Sequence, residues 1–208
     1  MPANIRLSGT AIRLFCAAGF LLLFSPLRGQ SLEQSTIDRL SSRSETLTKR
    51  GMLVLGGWAT GNIVSGAILA PASTGSRKHF YNMNMFWNGI NLGIAGWGYF
   101  QSGRSPRPMN RGEAIKAQFN TEKTLLFNAG LDVAYVMGGL YLIERSNSSS
   151  GYAEELRGYG NSVVLQGAFL FVFDLALHWA HTRNHFLLEE LLAGVRISER
   201  GIGLRISL

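Results

Sequence analysis

Cysteine is almost missing from this sequence. Cys16 is the only one among 208 residues, and it lies in a hydrophobic stretch near the start of the chain. A disulfide within one chain needs two cysteines, and a thiolate zinc site generally needs at least two. The sequence therefore excludes a fold held together by internal disulfides, and it excludes a cysteine metal centre.

Charged residues are also scarce in this sequence. Only 16% of the residues are charged, compared with about 25% in typical soluble domains, whereas 46% are hydrophobic. The formal net charge is +7, but the basic residues lie in loops and at the ends of hydrophobic segments, where they anchor helices at lipid headgroups. We therefore expect the lipid bilayer as a partner, and we expect no nucleic acid.

The known catalytic signatures are missing as well. The sequence has no glycine-rich phosphate loop, no nucleophile elbow and no HExxH pair. Ser65 and Ser162 have no histidine close to them in the sequence. The interpretation leans away from an enzyme without excluding one, and it predicts neither a catalytic residue nor a cofactor.

The first 50 residues divide into a leader and a polar segment. Residues 1–29 have the features of a secretory signal peptide. Arg6 and Arg13 form a positively charged front, an apolar core runs from Leu14 to Leu27, and the small residue Gly29 follows. We expect cleavage before Gln30; the alternative is an uncleaved anchor. Residues 30–50 predict a polar, weakly amphipathic lead-in helix.

Four hydrophobic stretches follow, each long enough to cross a hydrocarbon core of roughly 30 Å as a helix. A faint internal repeat, in which the first two stretches resemble the last two, predicts helical hairpins. We therefore predict an all-α membrane protein with four transmembrane helices as two tandem helical hairpins. The predicted bundle covers residues 51–183, with spans at 51–72, 79–101, 124–143 and 161–182.

The last 25 residues or so have a different pattern. Residues 184–208 predict a short amphipathic piece followed by a β-hairpin. Hydrophobic residues there alternate with polar residues or glycine on both sides of Arg200 and Gly201.

Polar side chains recur within the predicted spans. Counted from the side of the long connection, Asn62 and Asn91 lie at a depth similar to that of Asp132 and Asp174, roughly 12–17 Å below the surface. Ionisable residues within a span are functional candidates, although hydrogen-bonded packing of the helices is an alternative. The hypothetical ligand- or ion-binding set is Asp132, Asp174, Asn62, Asn88, Asn91, Asn128 and Gln166.

A metal site is a weaker hypothesis. Asp174, His178 and His181 share one helix face, so one carboxylate and two imidazoles could reach a metal. Apart from His79, the first residue of the second span, the predicted spans hold no further histidine to complete the site. Metal binding is therefore not favoured, and Asp132 would have to be the fourth ligand.

Two glycine pairs have the spacing that lets helix backbones approach closely. They are Gly57 with Gly61 and Gly89 with Gly93. We predict that these faces contact a membrane-protein partner or a second copy of the chain.

Four blocks of the chain resemble, in order, an uncharacterised family of small bacterial membrane proteins with a domain of unknown function. The resemblance covers about residues 45–183 and implies a small, mostly helical membrane protein, but it implies no activity, ligand or catalytic residue. The blocks are MLVLGGWATGNIVSG, KHFYNMNMFWNGINLGIAGWGY, LLFNAGLDVAYVMGGLYLIER and LRGYGNSVVLQGAFLFVFDLALHW.

Two functions follow as hypotheses. The favoured one is a non-enzymatic scaffold or complex subunit, multi-pass in the bacterial inner membrane. The alternative is a small transporter or a proton- or ion-binding protein that uses Asp132 and Asp174. A large cavity between the spans would favour the alternative, and a close-packed centre would favour the scaffold. The membrane orientation stays open, because the leader and the positive-inside rule disagree.

Overall fold

The computed structural model describes the backbone of residues 9–102, 108–193, 195–198 and 201–204, and the side chains of residues 32–102 and 108–193. This part of the chain forms five helices and two short strands. The helices are α1 (Gly9–Leu69), α2 (Gly75–Gln101), α3 (Arg111–Asn147), α4 (Ala153–Thr182) and α5 (His185–Leu192); the strands are β1 (Val195–Ser198) and β2 (Gly201–Leu204).

Helix α1 is continuous over 61 residues. It joins most of the predicted signal peptide, the lead-in and the predicted first span, so the helix has no end at residue 30 or 51. Residues 1–8 of the predicted signal peptide, and the side chains of residues 9–31, lie outside the described residues. Cleavage before Gln30 stays a prediction.

Three helices of the described chain are long and apolar enough to cross a membrane, which indicates a membrane protein. The prediction of four transmembrane helices is wrong, because α2, the predicted second span, is not one of them. Its asparagines, Asn82, Asn84, Asn88 and Asn91, lower its hydropathy although it lacks charge beyond its first turn. The three segments are Leu32–Leu69, Arg111–Asn147 and Ala153–Thr182.

The helices pair in chain order, α1 with α2 and α3 with α4, and the two pairs meet where α2 packs against α4. Helix α4 lies between α2 and α3 and contacts both, while α1 packs mainly against α2. In the described part of the chain, α2 and α3 touch mainly through the rings of Trp87 and Tyr135. The arrangement therefore leaves a gap between α2 and α3, bounded on one side by α4.

Glycines allow a close helix crossing between α3 and α4. A Cβ atom added to Gly139 would lie 2.8 Å from the carbonyl oxygen of Gly160, and one added to Gly160 would lie 2.7 Å from the carbonyl oxygen of Gly139. A Cβ added to Gly167 would lie 3.0 Å from the carbonyl oxygen of Asp132. Side chains at these positions would therefore separate the two helices.

The glycine pairs that the sequence indicated lie elsewhere. Gly57, Gly61, Gly89 and Gly93 are exposed, and among the described atoms nothing lies within 4 Å of a Cβ added to any of them. Their predicted contact with a partner or a second copy stays a prediction.

A cap lies at one end of the bundle. We define the cap as residues 32–48 of α1, residues 109–122, which include the start of α3, and α5. Ile37 and Leu40 of the lead-in are buried against Ala114 and against Leu187 and Leu191 of α5. The amphipathic face of the lead-in is therefore covered by protein.

The fold class is corrected to all-helical. Strands β1 and β2 pair in antiparallel register, with Val195 opposite Leu204. The connecting residues 199–200 and the last residues 205–208 lie outside the described part. An isolated pair of such short strands is marginal in stability. The predicted fold class is therefore wrong in two respects, the β-hairpin and the fourth span.

Candidate functional site

A cavity of about 670 Å³ occupies the gap between α2 and α3. Helix α4 contributes Phe173 and Leu177 to its lining, and α1 contributes Met52 and Leu55. The cavity exists because α2 and α3 each pack closely on α4 and have little contact with each other. Its surface is mainly apolar, although about half of its lining residues have a polar or ionisable side chain.

Two carboxyl groups lie together on the cavity wall. Asp132 of α3 and Asp174 of α4 both line it, and they lie near enough for their charges to interact. Asp132 is 3% exposed and Asp174 is 7% exposed. Two buried carboxylates so close repel each other, so a proton on one of them or a bound cation is favoured. The pair can therefore hold a proton at the edge of a cavity.

The crossing of α3 and α4 accounts for this proximity. Gly167 allows the α4 backbone to approach the carbonyl of Asp132. Asp174 follows Gly167 by seven residues, or about two turns, and so lies on the same face of α4. A glycine contact thus places carboxyls from two helices side by side.

Three asparagines also line the cavity, namely Asn91, Asn120 and Asn128. Asn91 of α2 is buried, and its side-chain nitrogen has no hydrogen-bond partner among the described residues. Asn128 of α3 lies one turn before Asp132, on the same wall. One carboxyl oxygen of Asp132, Oδ2, is likewise buried without a partner in the described chain. The wall of the cavity therefore holds one donor and one acceptor that are buried without partners in the described chain.

The remaining amides of the predicted set form a separate network. Asn84 Oδ1 accepts hydrogen bonds from Ser162 Oγ at 2.7 Å and from Gln166 Nε2 at 3.0 Å. Asn84 Nδ2 donates to Asn62 Oδ1 at 3.3 Å, and Asn88 Nδ2 donates to the Asn84 carbonyl at 2.8 Å. This amide network links α1, α2 and α4, and its members largely satisfy one another.

The predicted layer of four polar groups is wrong for Asn62. Asn62 pairs with Asn84 rather than lying level with Asn91. Trp58, one turn before Asn62, hydrogen-bonds to Gln166, which is eight residues before Asp174 in α4. Eight residues of helix correspond to roughly 12 Å. The structure therefore brings Asp132, Asp174, Asn91 and Asn128 to the cavity, and it places Asn62, Asn88 and Gln166 in the amide network.

Several residues of the site were missed by the sequence patterns. Trp58 donates from Nε1 to Gln166 Oε1 at 2.9 Å, and its ring stacks on Phe169 with centroids 3.9 Å apart. Trp87 and Tyr135 meet edge to face across the gap, with centroids 5.0 Å apart. A tryptophan within an apolar span was the available signal, since its N–H needs an acceptor when buried.

The histidines of the metal hypothesis do not gather around Asp174. His181 is fully buried, lines the cavity, and has its Nδ1 3.5 Å from Ser44 Oγ of the cap. His178 does not line the cavity. Within the described residues, no three His, Cys, Asp or Glu side chains form a group that could hold a metal ion.

The hydrogen bond from Trp58 gives a first prediction. Trp58→Phe keeps a ring to stack on Phe169 but removes the donor to Gln166. We expect the free energy of unfolding to fall by about 1 kcal/mol, the cost of one hydrogen bond. Thermal unfolding of the detergent-solubilised protein measures this loss of stability. Trp97→Phe is the matched control, because Trp97 is exposed; equal melting temperatures for the two variants would contradict the prediction.

Comparison with known proteins adds one match. Residues 54–175 match the family model described as "Family of unknown function (DUF6992)". No curated protein and no solved structure matches the chain. The matched range contains the carboxyl pair and the amide network, and it covers more than half of the 208 residues. The chain therefore belongs to this family of unknown function, DUF6992.

Proposed function

We propose that the chain is a multi-pass protein of the bacterial inner membrane that binds a proton or a cation at Asp132 and Asp174, as a small transporter or binding protein. One observation carries the proposal: two buried carboxyls from neighbouring helices lie together on the wall of a cavity of about 670 Å³. A close-packed centre would have favoured a scaffold. The cavity favours binding.

Electrostatics supports this role for the pair. Two carboxylates in contact in a medium of low dielectric repel each other strongly, so a shared proton or a bound cation relieves the repulsion. Among the described residues, no lysine or arginine lines the cavity to neutralise the pair instead. Exchange of the proton for a cation would couple proton movement to cation movement, as coupled transport requires.

The inner-membrane assignment rests on two further inferences. The resemblance was to bacterial membrane proteins, and the leader has the pattern of a secretory signal peptide. Three apolar helices of sufficient length support a multi-pass arrangement.

A scaffold or complex subunit is the second candidate function. Its support is the exposure of Gly57, Gly61, Gly89 and Gly93, which leaves two helix faces open for close contact with another helix. Such contact is compatible with a binding site on the other side of α2.

Carbodiimide labelling tests the proposed site. Dicyclohexylcarbodiimide is apolar and reacts with protonated carboxyls, so we expect it to modify Asp132 or Asp174 in the full-length protein in detergent. Labelling should fall as the pH is raised, because the carboxylate form does not react. Peptide mass spectrometry locates the adduct.

Two variants control this experiment. Asp132→Asn/Asp174→Asn should abolish labelling of the cavity while leaving a folded protein, since amides still hydrogen-bond. Asp38→Asn removes an exposed carboxyl of the cap and should label like the wild type. Absence of an adduct on both cavity carboxyls at every pH would overturn the proposed function.

A further inference from the structure

We propose that the ligand of the cavity is an organic cation with an apolar body, which enters from the lipid side between α2 and α3. This inference rests on the proposed function, because it names the class of cation that the carboxyl pair takes. Three features of the cavity lead to it: its charge, its size and lining, and its opening.

The charge of the cavity selects a cation. Asp132 and Asp174 are its only acidic groups in the described chain, and His181 is its only basic one. An anionic ligand would meet no lysine or arginine there and would displace the shared proton only at a cost in repulsion. A single positive charge, in contrast, can replace that proton between the two carboxyls.

The size of the cavity argues against a bare metal ion. A hard cation such as Ca²⁺ or Mg²⁺ is held by six or more oxygens at about 2.0–2.6 Å, whereas about 670 Å³ falls in the range of pockets for small organic molecules. Leucine and isoleucine side chains supply much of the lining, together with the rings of Trp87, Tyr135 and Phe173. Aromatic faces bind organic cations as well as apolar groups.

Unpaired polar atoms mark where the ligand would be held. The side-chain nitrogen of Asn91 and Oδ2 of Asp132 are buried without partners in the described residues. Buried polar atoms are normally paired, because an unpaired one costs about 1–3 kcal/mol. A ligand with a positive head and a nearby hydrogen-bond acceptor would pair both atoms.

The opening faces the side of the bundle. Ile90 and Ile94 of α2 line the cavity and are 50% and 53% exposed, and Leu131 of α3 is also exposed at its edge. In the described part of the chain, these two helices meet through Trp87 and Tyr135, whose ring contact is at the end away from the cap. The gap between that contact and the cap is therefore open toward the surroundings of the bundle, which in a membrane are lipid chains.

Tetraphenylphosphonium and tetraphenylborate test the inference. The two ions share shape and size but carry opposite charges. We expect the full-length protein in zwitterionic nanodiscs to bind tetraphenylphosphonium above the background of empty nanodiscs, with at least tenfold lower affinity for tetraphenylborate. Equilibrium dialysis with either ion gives the dissociation constants.

Three variants locate the binding. Asp132→Asn/Asp174→Asn should weaken tetraphenylphosphonium binding at least tenfold, and Asp38→Asn should leave it unchanged. Trp87→Leu removes an aromatic wall but no charge, and it should weaken binding severalfold. Because this variant keeps both carboxyls, it still reports on the site if the double variant fails to fold. Size-exclusion chromatography checks the folding of each.

Four outcomes are distinguishable. Selective binding of tetraphenylphosphonium that depends on both carboxyls and on Trp87 supports the inference. Equal binding of the two ions would indicate a lipid-chain site and would overturn it. Carbodiimide labelling without tetraphenylphosphonium binding would overturn it while leaving the proposed proton or inorganic-cation site in place. Loss of both signals would overturn the proposed function as well.

Discussion

Gly139→Ala is expected to lower the free energy of unfolding by about 1–3 kcal/mol, the usual cost of overpacking. The sign of this change in the free energy of unfolding is informative, because alanine normally stabilises a helix relative to glycine by roughly 0.5–1 kcal/mol. At Gly139 the new Cβ would lie 2.7 Å from a methyl group of Val164 and 2.8 Å from both the Val164 nitrogen and the Gly160 carbonyl oxygen. Two of these neighbours are backbone atoms, so α4 has to move away.

The adjacent glycine provides the control. Gly138 has no described atom within 4 Å of an added Cβ, so Gly138→Ala should be neutral or slightly stabilising. Gly160→Ala should behave like Gly139→Ala, because its Cβ would meet the Gly139 carbonyl oxygen at 2.7 Å. Thermal unfolding in detergent, followed by helical circular dichroism, compares the three. A Gly139→Ala variant as stable as Gly138→Ala would show that α3 and α4 do not cross there.

The same crossing connects stability to the site. Gly167 lets α4 approach the backbone of Asp132, and Asp174 lies two turns further along the same face. Separation of α3 from α4 would therefore move the two carboxyls apart. We infer that the glycines of this crossing hold the geometry of the site, although none of them lines the cavity.

Helix formation could be predicted from the sequence, but the number of spans could not. Long stretches without charge predicted helices over most of α2, α3 and α4, and the structure has helices there. The absence of charge is a weaker criterion than hydropathy, however. The asparagines of α2 point into the protein, at Asn84, Asn88 and Asn91, and they make this helix too polar to be counted as a span by composition.

The position of the carboxyl pair was predictable for a simple reason. Asp132 and Asp174 lie on α3 and α4, and each is eight residues from the boundary of its predicted span on the same side of the membrane. The same count gave the wrong depth for Asn62, because α1 continues as a helix on both sides of Gly51. A change from polar to apolar residues within one helix does not fix how deep the following residues of that helix lie in the bundle.

Glycine spacing alone could not identify the close crossing. Gly57 with Gly61 and Gly89 with Gly93 have the small-xxx-small spacing, yet both pairs face away from the bundle. Which face of a helix packs depends on its neighbours, and the hydrogen bonds of the amide network decide this for α2. The direction of Asn84 toward α4 turns Gly89 and Gly93 outward.

Asn84→Leu is expected to lower the free energy of unfolding by about 2–4 kcal/mol. The Asn84 side chain accepts from Ser162 and Gln166 and donates to Asn62. Leucine has a similar size but no polar atoms, so three buried groups on α1 and α4 lose a partner at once. Each such contact in a membrane protein contributes roughly 0.6–1.7 kcal/mol. The melting temperature and the yield of monodisperse protein measure the loss.

Asn82→Leu is the matched control, because Asn82 lies on the same helix two residues earlier and is exposed. It should change the free energy of unfolding by less than about 0.5 kcal/mol, as surface substitutions usually do. The double variant Asn84→Leu/Ser162→Ala separates two causes of the loss. If unpaired polar groups destabilise Asn84→Leu, removing the Ser162 hydroxyl, which donates to Asn84, restores part of the stability. If the double variant is less stable still, the amide network acts through packing, and the assignment of its strength to hydrogen bonds is wrong.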